Sequence, residues 1–164
     1  LSDKTVRNMK TIENTLIELC TKYGVDYGCI SINFFTGTNI DACVGGQRVY
    51  ERVNGTKIFK GRVYDLIELS INKSLLTRDI PYIVRTITHE FAHVLQQLKL
   101  GADLSKLKSC KPVVKFTTYS ANEIEVQAEA FTVYELGLSN SSVKGGFEMP
   151  CYKGALERFF NLID

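Results

Sequence analysis

Residues Asp79–Gly101, DIPYIVRTITHEFAHVLQQLKLG, decide how this chain is organised. Ile83, Ile87, Phe91 (with Val84), Val94 and Leu98 recur at the three- and four-residue spacing of one helix face. Asp79 can cap the helix start, and Pro81 falls in the first turn, where its missing N–H costs nothing. Gly101 closes the far end. Inside this helix runs Thr88-His89-Glu90-Phe91-Ala92-His93. Side chains four apart stand one turn apart on the same face, so His89 and His93 can present two imidazoles to one ion. Zinc suits that pair, because it accepts neutral imidazole nitrogen at about 2.0–2.1 Å. Glu90 projects beside the pair. There it can take a proton from metal-activated water and deliver it to a leaving amine. The metal matters because it lowers the pKa of water from about 15.7 to about 7. The alternative is two histidines on a solvated helix face. The chain has only two histidines, and both lie in this motif.

A catalytic zinc site usually has three protein ligands and an open position. With no third histidine in the sequence, a carboxylate or thiolate must complete the set. Asn122-Glu123-Ile124-Glu125-Val126-Gln127-Ala128-Glu129-Ala130-Phe131 is the best source. Ser120-Ala121-Asn122-Glu123 reads as a capping box opening a helix to about Leu136, which occupies Glu123 at the helix start. Glu125 and Glu129 are one turn apart on one face, and the small Ala128 on that side allows a close helix approach. We read Glu125 as the third ligand. Glu129 then accepts from the free N–H of a ligand histidine, and the reverse assignment stays open. Two carboxylates facing an apolar seam would be costly without a cation.

Working outward, Ser2 or Asp3 caps a first helix that runs to about Tyr23 and ends at Gly24. Its apolar face is Val6, Met9, Ile12, Leu16 and Leu19. From Cys29 to Ser70 the texture changes to short β-prone runs: Cys29–Phe35, Val49–Val53, Lys57–Phe59 and Arg62–Ile71. Turn signals separate them at Thr36-Gly37, Gly45-Gly46 and Asn54-Gly55. The last is the strongest, because both residues tolerate positive φ. After the central helix comes a lysine-rich connector from Ala102 to Thr118, read as a solvated loop. Past the helix ending near Leu136, Pro150 precedes a last helix with Leu156, Phe159, Phe160 and Ile163. Strands run together and are not interleaved with helices, which predicts an α+β fold with a small, mostly antiparallel sheet.

The 164 residues suit one domain over 1–164, large enough to bury a core without disulfides. A net charge of +2 gives no argument for nucleic acid or membrane partners. No stretch approaches the roughly 18 apolar residues of a membrane span. Cys20, Cys29, Cys43, Cys110 and Cys151 are scattered and read as buried thiols, favouring a reducing compartment, cytoplasmic or virion-associated. Leu1 stands where an initiating Met would, so a lost leader stays open.

At His89-Glu90-xx-His93 followed by Glu125 on a downstream helix, the chain resembles the gluzincin class of zinc peptidases. Glu125-Val126-Gln127-Ala128-Glu129-Ala130-Phe131 is similar to the E-x-E-A-x-x-F run of small phage, plasmid and bacterial metallopeptidases such as the ImmA/IrrE group. The likeness covers about residues 79 to 136 and prefers Glu125 as the ligand. It puts Glu129 where that group often carries a short polar residue supporting the site. Gln127 replaces its usual second acidic residue, so no role is carried over there. The resemblance implies a zincin-like fold, with Tyr64–Ile71 as an edge strand along which an extended peptide lies. It also implies an oxyanion-stabilising side chain. Tyr119 is the nearest candidate, ahead of Tyr134 and Tyr152.

The expected function is a zinc endopeptidase with one Zn2+ per chain, acting on a peptide or protein substrate. The alternative is a zincin-fold regulatory or virion-associated protein that acts mainly by binding a partner.

Overall fold

The computed structural model describes residues 1–108, 122–137 and 149–164. Its architecture is α+β, a three-stranded mixed sheet packed against four long helices, with one further short helix. In chain order the elements are α1 (Asp3–Tyr23), β1 (Ile30–Phe35), β2 (Ala42–Val53), β3 (Thr56–Asn72), α2 (Ile80–Leu100), the short α3 (Leu104–Lys108), α4 (Glu123–Leu136) and α5 (Met149–Ile163).

The central helix forms where its caps and apolar stripe require. The Asp79 side chain accepts from the Tyr82 N–H, and the Gly101 N–H returns to the Gln97 carbonyl. Ile83, Ile87, Phe91 and Val94 are fully buried against Ile12, Leu16 and Leu19 of α1, Ile67, Leu69 and Ile71 of β3, and Phe131 of α4. Phe131 joins the layers: its ring packs on Tyr23, Phe91 and Phe159. In α1 the inward face differs from expectation at its start. Val6 is exposed, and Asn8 is buried instead. Its amide donates to the carbonyls of Leu76 at 2.7 Å and Arg78 at 3.0 Å, so a polar clamp replaces an apolar contact.

The sheet order is β1-β3-β2, with β1 parallel and β2 antiparallel to β3. Two expectations change here. The sheet is mixed, and Tyr64–Ile71 is no edge strand, because it lies within central β3. The turn at Asn54 (φ 50°) and Gly55 (φ 78°) pairs β2 along one side of β3. The other side is left for β1, and Ile67, Leu69 and Ile71 lose all solvent. The strand at the edge beside α2 is β2.

Gly45-Gly46 makes no turn. The pair sits inside β2, where the register jumps from Gly46 opposite Ile67 to Gln47 opposite Val63. Tyr64, Asp65 and Leu66 bulge from β3 there, which bends the hairpin. A Cβ on Gly46 would come within 2.4 Å of the Val63 carbonyl oxygen, so the close strand approach needs glycine. Beyond the bulge the hairpin leaves the helices and exposes Val49, Tyr50, Val53, Ile58 and Phe59.

Smaller corrections concern ends and loops. Asn122, not Ser120, is the N-cap of α4, and its side chain accepts from the Glu125 N–H. Ser120 lies outside the described residues. Part of the expected connector loop is helical, since α3 buries Leu104. Pro150 lies in the first turn of α5 rather than before it. Of the four described cysteines only Cys20 is buried, and Cys43 is exposed. No described helix is long and apolar enough to cross a membrane.

Candidate metal centre

Residues Thr86–Gln97 of α2 are buried without interruption, although that span covers every side of a helix. The core takes the apolar face. The face bearing His89, Glu90 and His93 is covered by β2 and α4. His89 is 7% exposed, Glu90 8% and His93 9%. Helix α4 delivers Glu125 to the same point.

The Nε2 atoms of His89 and His93 are 3.2 Å apart. Glu125 places Oε2 2.9 Å from Nε2 of His89 and Oε1 3.1 Å from Nε2 of His93. Ligands on a tetrahedral ion with bonds of about 2.0–2.1 Å are separated by about 3.3 Å, so the two nitrogens stand at the spacing one zinc ion requires. His89, His93 and Glu125 thus form a group that can hold a metal ion, with candidate ligand atoms all within 4.8 Å of one another. Two imidazole lone pairs and a carboxylate are a donor set that zinc takes readily.

Each histidine is oriented through its other nitrogen. Nδ1 of His89 meets Glu129 Oε2 at 2.8 Å, and Glu129 is 2% exposed. Nδ1 of His93 meets Gln96 Oε1 at 2.8 Å. The tautomer of His93 follows from a chain of partners. The Glu123 carboxylate can only accept, so Gln127 turns its amide N–H toward it at 3.0 Å. Gln127 Oε1 then accepts from Gln96 Nε2 at 3.2 Å, and Gln96 Oε1 must accept from His93. The proton therefore sits on Nδ1, and the Nε2 lone pair points at the metal position. Arg158 of α5 anchors the far end with an ion pair to Glu123.

Glu125 and Glu129 are thus distinguished by geometry: the first faces both Nε2 atoms, the second faces one Nδ1. Glu123 serves the hydrogen-bond chain rather than a capping box. Tyr119 lies outside the described residues. Tyr134 meets Phe160 edge to face, and Tyr152 packs beside Val126 and Ala130. Neither lines the cavities at His89, Glu90 and His93. Tyr82 and Arg85 do line one, of about 290 Å³, together with His89 and Glu90. Sequence reading passed over Arg85, Gln96 and Gln97, although Arg85 precedes His89 by four residues and Gln97 follows His93 by four.

Electrostatics divide the acids. Burial would raise the Glu125 carboxyl, but hydrogen bonds with His89 and His93 outweigh it and hold it well below the usual carboxylate range. Burial pushes the Glu90 carboxyl up, and the nearby histidines offset this only in part. Its Oε2 is buried with no hydrogen-bond partner. For His89, burial works toward the neutral ring, but hydrogen bonds to Glu125 and Glu129 overcome it and raise its pKa to about 10.

A metal must therefore displace a proton from His89 at any pH below about 10. Metal-stripped protein titrated with zinc at pH 7 should release about one proton from this ring, read by calorimetry in buffers of different ionisation heat. The apparent affinity should rise with pH and level off near pH 10 as far as this group is concerned. Zinc uptake at pH 7 with no proton release would show that the His89 ring is already neutral before the metal arrives.

The chain matches no family model, no curated protein and no solved structure.

Proposed function

We propose that this chain is a zinc-dependent endopeptidase, a single zincin-like domain over residues 1–164 that acts on a peptide or protein. One observation carries the reading. Two imidazoles and a carboxylate from separate helices converge on one point, beside a buried glutamate with an unpartnered oxygen. A purely structural metal site has no use for that fourth group.

His89, His93 and Glu125 would hold the zinc. A bound zinc ion supplies Lewis acidity that acidifies water and polarises a carbonyl. Glu90 takes the proton of the attacking water and returns it to the leaving amine; its raised pKa suits both halves of that task. Glu129 and Gln96 hold the imidazoles in the tautomer that leaves Nε2 unprotonated. Arg85 brings a cation to the cavity shared by His89 and Glu90, where a carbonyl oxygen gaining negative charge would be stabilised. An extended substrate would add to the outer edge of β2, whose first residues Ala42, Cys43 and Val44 line the cavity holding Glu90, His93 and Glu125, with Ile40 just before the strand.

The test is direct. Zinc-loaded chain should cleave members of a broad peptide mixture, read by mass spectrometry. Cleavage should stop with a chelator and return with zinc. A second reading, a regulatory protein that keeps the fold to bind a partner, draws on the exposed apolar hairpin around Tyr50 and Phe59. Zinc retained with no peptide cleaved would favour it.

A further inference from the structure

Two buried polar atoms among the described residues lack a hydrogen-bond partner, Glu90 Oε2 and Gln97 Oε1. The proposed chemistry uses the first. The second is 8% exposed, one turn beyond His93 on the same face of α2, and has no assigned task. A buried amide oxygen without a donor costs free energy unless something arrives to satisfy it.

Gln97 lines two cavities at once. One holds Glu90, His93 and Glu125. The other, of about 410 Å³, is larger and lies further along β2. That volume falls in the roughly 300–1,000 Å³ range of small-ligand sites. Cys43, Val44 and Leu104 also line both, so the larger cavity adjoins the one at the metal centre.

The charges of the larger cavity do not cancel. Arg48 and Glu68 neutralise one another through Nε–Oε contacts of 3.0 and 3.2 Å, and the Arg48 N–H donates to the same carboxylate at 2.8 Å. Arg62 makes no ion pair among the described residues. Its Nη1 donates to the Gly46 carbonyl at 2.7 Å, which uses one of its five N–H groups. The guanidinium lies over Gly45, where a Cβ would come within 3.1 Å of Nη1. Strand β2 therefore holds this cation in place at the cavity wall. A guanidinium fixed at the wall can pair with a carboxylate, and the Gln97 Oε1 that lacks a donor can accept an N–H of the molecule that carries it.

We infer that this cavity binds a carboxylate carried by the peptide at the metal centre, with Arg62 as its charge partner and Gln97 Oε1 accepting an N–H of the same peptide. The inference rests on the peptidase reading for its substrate. The carboxylate has two possible sources, an acidic side chain or the peptide C-terminus.

Matched substrates separate these sources. Zinc-loaded wild type is given peptides with Glu or Gln at each position in turn, and peptides ending in a free acid or an amide. The expected result is a preference of about tenfold in kcat/KM for the acid in one arm, which names the source. Arg62→Gln should abolish that preference, and Arg62→Glu should turn it toward Lys. A second readout needs no cleavage. Backbone NMR of the zinc-loaded chain, titrated with N-acetyl-glutamate amide, N-acetyl-glutamine, glutarate or the uncharged N-acetyl-glutamine amide, should show saturable shifts at Gly45, Gly46 and Gly101 with the first three, which carry a carboxylate, and none with the last. Arg62→Glu should erase them. Cleavage indifferent to every acid, with no such shifts, would overturn the cavity assignment and leave the peptidase reading standing. Carboxylate-dependent shifts without cleavage of any peptide would uphold the cavity and remove the peptidase.

Discussion

Glu90→Gln protein is expected to bind zinc and fold like wild type while hydrolysing peptides about 10²–10⁴-fold more slowly. The substitution keeps shape and volume but removes the group that can carry a proton. No other described residue of the site can take over: His89 and His93 direct their Nδ1 atoms to Glu129 and Gln96, and Glu125 is held as a carboxylate between the two Nε2 atoms. The stability readout makes the result specific. Glu90 pays for burial with a raised pKa and leaves Oε2 unpartnered. A carboxyl whose folded pKa lies above its unfolded value destabilises the fold at pH above that folded pKa and not below the unfolded one. Thermal unfolding of Glu90→Gln should therefore equal or exceed wild type near neutral pH, with the gain fading in acid. Wild-type hydrolysis by this variant would refute Glu90 as the proton carrier.

The second large effect is on the metal itself. Glu125→Ala should lose more than about a hundredfold in zinc affinity, because it removes the one carboxylate among the described residues that reaches both Nε2 atoms. Gln96→Ala, which touches no metal position, should lose about 10–100-fold. Its amide fixes the His93 tautomer, and without it the proton can move to Nε2 and block the lone pair. Competition against a chromophoric chelator ranks the two. Glu129→Ala belongs beside Gln96→Ala, since its carboxylate meets only Nδ1 of His89. If Glu129→Ala lost zinc while Glu125→Ala kept it, the ligand and supporting roles would be exchanged.

These expectations show how unevenly the site could be read from the chain. The pair His89 and His93 with Glu90 was legible because helix geometry turns a four-residue spacing into a shared face, whatever the helix packs against. Glu125 and Glu129 were narrowed to a pair by the same rule. Gln127 looked like a departure from a pattern, yet it relays orientation from Glu123 to Gln96. Helix spacing places Glu123 one turn from Gln127, but it cannot encode the relay, because Gln96 and Arg158 come from two other helices.

By itself, the sequence determined what covalent spacing and local backbone chemistry impose. That includes the caps at Asp79 and Gly101, a first-helix cap narrowed to Ser2 or Asp3, the positive-φ turn at Asn54-Gly55, the buried stripe of α2 and the imidazole pair upon it. Tertiary structure alone decided which strand is the edge, which glutamate meets both imidazoles, and that Gly45-Gly46 carries a bulge instead of a turn. Those outcomes depend on how elements dock. Docking is settled by the summed burial of faces distant in sequence, a quantity that no local window of residues contains.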